Sequence, residues 1–353
     1  MRALVITGRN ELSVQQVPKP SLRPFDVLVC VHYVGICGTD IEILRGEGVL
    51  FESGAFRYPT RIGHEWSGIV EEVGSQVQDL KPGDRVISDS GVSCGECPAC
   101  LAGNYRACSN HRAIGTRYPC WPGAFADYMC LPHWHVHRIP DHVGLEEAAL
   151  VEPTTIAQRG MREGLAGKSV LVTGTGPIGL AAVGLAKCYG SPLVMVAGRR
   201  EKKLAIAREL GADLCINMGK ESISERVLEA TDGKGADFLV EASGATVCLK
   251  EALPAMGRCS LMRLLSFCGT SLDTFDIDSV VNKSISMIGG SSDGKGGVIT
   301  PSSQEVLDFV EAGKLKLKPL ITHVFPLDEA PEVFLHMDDY QSERVKILID
   351  CQA

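Results

Sequence analysis

The rhythm of apolar and polar positions changes once along this chain, near residue 168. Up to about residue 150, short β-rich runs alternate with Gly/Pro turns, as in residues 68–74 (GIVEEVG) and 81–87 (KPGDRVI). That pattern predicts an antiparallel barrel or sandwich. From residue 168 the order becomes strand, helix, strand over 169–172, 178–189 and 193–197, which is the signature of a parallel βαβ unit. Ile178, Ala181, Ala182, Leu185 and Tyr189 fall on one face at 3.6 residues per turn. Further strands are predicted over 237–241, 261–267 and 284–288. Beyond residue 300, Pro301 at a helix start precedes Val306, Phe309 and Val310, and 345–349 reads as a final strand. No internal repeat interrupts this order.

A length of 353 residues favours two hydrophobic cores over one. With 45% hydrophobic and 22% charged residues, the composition excludes a disordered or fibrous chain. The net charge of -8 is dispersed and no Lys/Arg block tracks phosphates, so a small molecule is expected as partner, not nucleic acid or a membrane. The first apolar run is too short for a signal peptide, and no run of about 18 apolar residues follows, so a cytoplasmic location is expected. Fourteen cysteines in such a chain do not imply disulfides. Four of them, crowded between Cys94 and Cys108, point to metal instead.

The spacing Cys94-x2-Cys97-x2-Cys100-x7-Cys108 can close a tetrahedral zinc site with no open position, a site that pins a loop. Gly91, Gly95, Pro98 and Gly103 supply its turns. A redox pair would instead open a helix of a βαβ unit. A second constellation is made of Cys37-Gly38-Thr39-Asp40, Gly63-His64-Glu65 and Glu152 in Val151-Glu152-Pro153. Taken singly, such residues are usually packed or hydrogen-bonded in a core. Together, thiolate, imidazole and carboxylate suit a catalytic zinc with a fourth position for water or alcohol.

Gly174-Thr175-Gly176-Pro177-Ile178-Gly179 directly follows a predicted strand and opens a helix, the context a dinucleotide's pyrophosphate requires. The acidic residue that grips the ribose hydroxyls is expected about 20 positions on. There the chain carries Ala197-Gly198-Arg199-Arg200. Gly198 removes both the grip and the repulsion of a 2′-phosphate, and Arg199 and Arg200 offer it planar donors, so NADP is expected over NAD. His133, His135 and His137 alternate and read as a solvated strand face, not a third metal site. Glu146 and Glu147 read as helix-start charge.

With these motifs in this order, the chain resembles the zinc-containing medium-chain dehydrogenases from end to end. The resemblance implies an α/β protein with a GroES-like β-rich catalytic domain over 1–153 and 291–353. A Rossmann domain, a doubly wound parallel sheet, would occupy 154–290, with the active site in the cleft between the two. It implies two zinc ions (Zn2+) per subunit. Cys37, His64 and Glu152 would ligate or closely flank the catalytic ion, Glu65 would exchange on and off it, and Cys94, Cys97, Cys100 and Cys108 would hold the structural one. Thr39 would relay the alcohol's proton towards the cofactor ribose, while Asp40 would be structural.

Glu152 stands where simple alcohol dehydrogenases carry a second Cys, which resembles the polyol, threonine and sugar dehydrogenase branches. Residues 37–43 resemble sugar dehydrogenases and 63–68 resemble aminocyclitol dehydrogenases, which leaves the substrate open. The implied reaction oxidises a secondary alcohol of a polyol, sugar or cyclitol to the ketone, or runs in reverse, with zinc as Lewis acid and hydride passing to nicotinamide. A homotetramer or homodimer is implied. Two rivals remain, a zinc-free quinone or alkene reductase on the same scaffold and a non-catalytic nucleotide- and zinc-binding redox sensor. The first leaves Cys37, His64 and Glu152 unexplained. Residues 256–263 depart from the family's Gly-Gly-rich turn, and 47–61 remain unplaced.

Overall fold

A seven-stranded sheet carries the β-rich half, and its central strands Asp26–Gly35 and Glu65–Val73 are mostly buried. In the computed structural model, residues 1–54, 56–162, 164–269, 271–272, 274–290, 302–340 and 342–353 are described. The strands pair in the order Ile321–Pro326, Lys346–Asp350, Asp26–Gly35, Glu65–Val73, Arg85–Ser88, Val136–Arg138, and Tyr128–Pro132 also pairs with Asp26–Gly35. All pairings are antiparallel except that of the two C-terminal strands. Their core gathers Trp66, Ile62, Phe125 and Phe334, the last two meeting edge to face at 5.4 Å. This unit comprises Met1–Glu152, the described residues of Gly296–Glu311, and Ile321–Ala353.

The second unit comprises Pro153–Lys295, in its described residues, and Ala312–Leu320. Its sheet is parallel throughout, in the order Leu214–Asn217, Leu193–Gly198, Ser169–Thr173, Ala236–Glu241, Met256–Leu264, Ser286–Gly289. Numbered within the unit this is 3-2-1-4-5-6, the doubly wound dinucleotide-binding order. Leu171, Met195, Ile216, Leu239 and Met262 form its core.

The predicted helix at 178–189 is observed as Pro177–Cys188, and the strand at 237–241 as Ala236–Glu241. The strand expected from residue 261 already begins at Met256. A bulge explains the miss: Ala236 pairs with Met256 but Phe238 with Leu261, and Cys259 sits in the left-handed region. The extra residues break the alternation that a strand shows in sequence. Residues 312–320, expected with the β-rich half, pack in the parallel-sheet unit. There Gly184, on helix Pro177–Cys188, leaves room for buried Leu315, and Cys188 Sγ donates to the Lys314 carbonyl at 3.4 Å. The expected crossing at 291 and the helix start at Pro301 lie outside the described residues. Within 47–61 a short helix, Gly48–Glu52, is present.

The three alternating histidines also differ from expectation. His133–His135 is a 3-10 turn, so the period-two face does not exist, and His135 is buried against Ser93 rather than solvated. His133 and His137 pair instead with Asp79 and Asp89. Among the described residues, no helix is long and apolar enough to cross a membrane.

Candidate metal centres and nucleotide loop

The four-cysteine loop folds on itself through the short helix Pro98–Leu101 and the 3-10 turn Tyr105–Ala107. The sulfurs of Cys94, Cys97, Cys100 and Cys108 all lie within 4.8 Å of one another. Three of the separations are 3.4, 3.5 and 3.9 Å. Four thiolates about 2.3 Å from one tetrahedral ion would stand about 3.8 Å apart, so the cage has the dimensions of a zinc site. Backbone N–H groups of Cys94 and Asn110 donate to Cys108 Sγ at 3.3 Å each. The N–H groups of Cys100 and Ser109 pull the Cys97 thiol down to about 6, whereas burial pushes Cys100 up to about 11. Four sulfurs this close cannot all carry charge without a cation between them.

The second centre is built on a helix start. Cys37 precedes helix Gly38–Arg45, and the Asp40 carboxylate reaches back to accept the Cys37 N–H at 2.9 Å. The other oxygen of Asp40 accepts the Gly63 N–H at 3.2 Å and stands 3.8 Å from His64 Nδ1. One buried carboxylate thus ties the Cys37 turn to the segment that delivers His64 into strand Glu65–Val73. Burial raises the pKa of Asp40, partly offset by His64 and by these two N–H groups. Burial opposes a charged imidazolium at His64, but Cys37, Asp40 and Glu152 outweigh it and hold its pKa well above the ordinary value.

The donor atoms of Cys37, His64 and Glu65 lie within 4.8 Å of one another. Glu152, on the first turn of helix Val151–Met161, lies outside that group, though its charge is felt at His64. Buried His64 Nδ1 has no hydrogen-bond partner. A buried polar atom left so is costly, and the thiol, imidazole and carboxylate gathered at this ring are a donor set that suits a zinc ion. Thr39 is half-buried, and its hydroxyl makes no hydrogen bond among the described residues, so it is not a helix cap.

Sequence reasoning missed Lys346. Its ammonium is buried, 2.5 Å from Glu65 Oε2 and 2.9 Å from the carbonyl oxygen of Ile36, the residue before Cys37. Gly35 leaves space for this pair, since a Cβ there would run into Glu65 and Lys346. The available signal was a lone Lys inside the apolar run Val345-Lys346-Ile347-Leu348-Ile349.

In the parallel-sheet unit, strand Ser169–Thr173 runs into Gly174, whose φ of 102° and close approach to Ala242 and Ser243 admit no side chain. Gly176 caps the helix, Pro177 is its first residue, and Gly179 packs against the Gly174 carbonyl, so Ile178 continues a helix set close on the sheet. A Cβ on Gly176 would meet nothing within 4 Å, which leaves the helix N-terminus open to an anion. Strand Leu193–Gly198 ends beside this loop, and a Cβ on Gly198 would lie 2.5 Å from Thr175 Cγ2. Arg199 and Arg200 are exposed and form no ion pair among the described residues.

Comparison with known proteins agrees with this architecture. Residues 23–141 match the model of the alcohol dehydrogenase GroES-like domain, and 177–311 that of the zinc-binding dehydrogenases. The chain is 32% identical over 343 residues to an L-threonine 3-dehydrogenase of Symbiobacterium thermophilum, covering 97% of this chain and 95% of that one. It is 30% identical to a sorbitol dehydrogenase of Halalkalibacterium halodurans, with 99% of each chain covered. A Sinorhizobium meliloti structure described as a zinc-binding dehydrogenase, bound to NADP, superposes with a TM-score of 0.84 at 28% identity, covering 99% of this chain and 98% of that one. The chain belongs to the zinc-type medium-chain alcohol dehydrogenase family, in its polyol and threonine branch.

Proposed function

We propose that this protein is a zinc-dependent, NADP-preferring dehydrogenase that interconverts a secondary alcohol of a polyol, sugar or cyclitol with its ketone. The observation that carries this reading is the convergence of the Cys37, His64 and Glu65 donor atoms within 4.8 Å of one another. Relatives named as dehydrogenases of threonine, sorbitol and arabitol phosphate support NAD(P)-dependent alcohol oxidation. In this proposal Cys37 and His64 hold a zinc ion, with Glu65 and Glu152 as its carboxylate neighbours, and Cys94, Cys97, Cys100 and Cys108 hold a second, structural one. A bound zinc supplies Lewis acidity, which makes loss of an alcohol's proton feasible near neutral pH.

The chain's own residues do the rest. Asp40 fixes the Cys37 turn against the His64 segment, so the two side chains keep their separation through turnover. The Thr39 hydroxyl, unengaged in the fold, accepts the substrate proton and passes it on. Gly174, Gly176, Pro177, Ile178 and Gly179 present a helix N-terminus to the pyrophosphate. Gly198 leaves room beside the ribose, and Arg199 and Arg200 bind the 2′-phosphate.

A panel of polyols, sugars, cyclitols and simple primary alcohols, assayed with NADP and NAD in parallel, tests the reading. Expected is a higher kcat/KM for at least one polyhydroxylated secondary alcohol than for every primary alcohol, and loss of turnover in Cys37→Ser and His64→Ala. Turnover of alkenes or quinones alone, or retention of alcohol oxidation in both variants, overturns it.

A further inference from the structure

A cavity of about 780 Å³ is lined by residues of the β-rich unit, and Cys37, His64, Glu65 and Glu152 are not among them. That volume holds a drug-sized molecule. Its walls are preformed. Thr60 and Ile6 exchange both backbone hydrogen bonds at 2.9 Å, the Gly123 N–H donates to the Arg61 carbonyl at 3.2 Å, and Trp121 Nε1 donates to the Cys130 carbonyl at 2.7 Å. Val5, Trp121 and Met129 supply apolar surface. Pro18, Pro20 and Pro122 also line the cavity.

The charge on this wall is unbalanced. Among the described residues, three charged side chains line it, Arg23, Asp26 and Arg61. Arg23 and Asp26 neutralise each other through bonds of 2.6 and 3.1 Å. Arg61 is half-buried and has no carboxylate within ion-pairing distance among the described residues. Burial lowers its pKa, and the ionisable group beside it is the Cys120 thiol, whose Sγ stands 3.6 Å from Thr60 Oγ1. The Arg61 guanidinium is only partly withdrawn from water, and an anion set against it would gain a charge-assisted contact. One uncompensated positive charge therefore stands beside an apolar, ring-lined hollow.

We propose that this cavity binds a small organic carboxylate with an apolar body. The carboxylate takes the planar fork of Arg61 with the Thr60 hydroxyl as a further donor, and the body lies against Trp121, Met129 and Val5. A single free positive charge selects a monoanion. The site is independent of the proposed turnover, since it shares no side chain with the metal centre.

Calorimetric titration of the zinc-replete full chain with 4-phenylbutyrate and with its neutral amide, 4-phenylbutyramide, tests this. The acid should bind saturably at one equivalent and the amide roughly tenfold or more weakly, the loss of a charge-assisted contact. Arg61→Gln should weaken the acid by a similar factor and leave the amide unchanged, while Cys37→Ser should leave both unchanged. Equal binding of acid and amide, absence of saturable binding, or undiminished acid binding in folded Arg61→Gln each overturn the proposal. Loss of acid binding in Cys37→Ser would place the carboxylate at the metal centre and overturn it too. Should Arg61→Gln fail to fold, the acid-against-amide comparison in the unaltered protein decides alone.

Discussion

Lys346 and Glu65, 281 positions apart in the chain, meet as a buried ion pair at 2.5 Å. The same ammonium holds the carbonyl before Cys37. Two charges taken out of water tolerate each other only while both are present. Lys346→Met is therefore expected to lower unfolding free energy by about 3–5 kcal/mol. Glu65→Gln combined with Lys346→Met should recover part of that loss in guanidinium denaturation. A Lys346→Met protein as stable as the parent would show that the pair contributes nothing.

The two candidate metal centres should separate on analysis. Purified protein is expected to hold two zinc ions per chain. Cys100→Ser should hold one and melt at lower temperature, because a closed cysteine cage contributes folding energy. Cys37→Ser should lose turnover with a much smaller change in melting temperature. Elemental analysis that finds a single zinc in carefully prepared parent protein would refute the two-site assignment.

Cofactor choice is expected to rest on the end of strand Leu193–Gly198. Arg200 caps helix Glu201–Glu209, where positive charge is unfavourable unless an anion sits beside it. Arg199→Ala and Arg200→Ala should each cost about 1.5–3 kcal/mol of NADP binding, roughly ten- to a hundredfold, with little change for NAD. Gly198→Asp should weaken both cofactors, since its Cβ would stand 2.5 Å from Thr175 Cγ2. Fluorescence titration with each cofactor reads these ratios, and an unchanged NADP to NAD ratio in both arginine variants would remove the basis for the preference.

Stability should fall in acid through His135. Burial lowers its pKa to about 4, and its Nε2 accepts the Ser93 N–H at 2.8 Å, which needs the neutral ring. Between about pH 4 and the unfolded value near 6.5 the unfolded chain binds the extra proton. The neutral ring's contribution is thus complete above about pH 6.5 and lost as pH falls towards 4, an effect of about 3 kcal/mol. Melting temperatures of the parent and His135→Gln across that range should converge on acidification. Parallel curves would show that His135 is not the group responsible.

Much of the fold was legible because its signals are local. The Gly174 to Gly179 spacing, the helix it opens and the flanking strands depend on backbone sterics within a few residues, and each appears within a residue or two of its expected place. The start of Met256–Leu264 was hidden because a bulge removes the alternation on which strand recognition depends. His135 was misread for a related reason, since a 3-10 turn replaced the expected strand and turned one ring inward.

The sequence by itself determined the four-sulfur cage, the glycine loop and the pairing of a thiol with an imidazole, because these rest on residue type and short spacing. Tertiary structure alone decided that Glu65, rather than Glu152, joins Cys37 and His64 within 4.8 Å, that Lys346 neutralises it, and that Arg61 has no carboxylate partner among the described residues. Those are matters of charge pairing across distant strands. Which charges meet in a low-dielectric core is set by sheet register, and register is fixed by how every strand buries its apolar face at once.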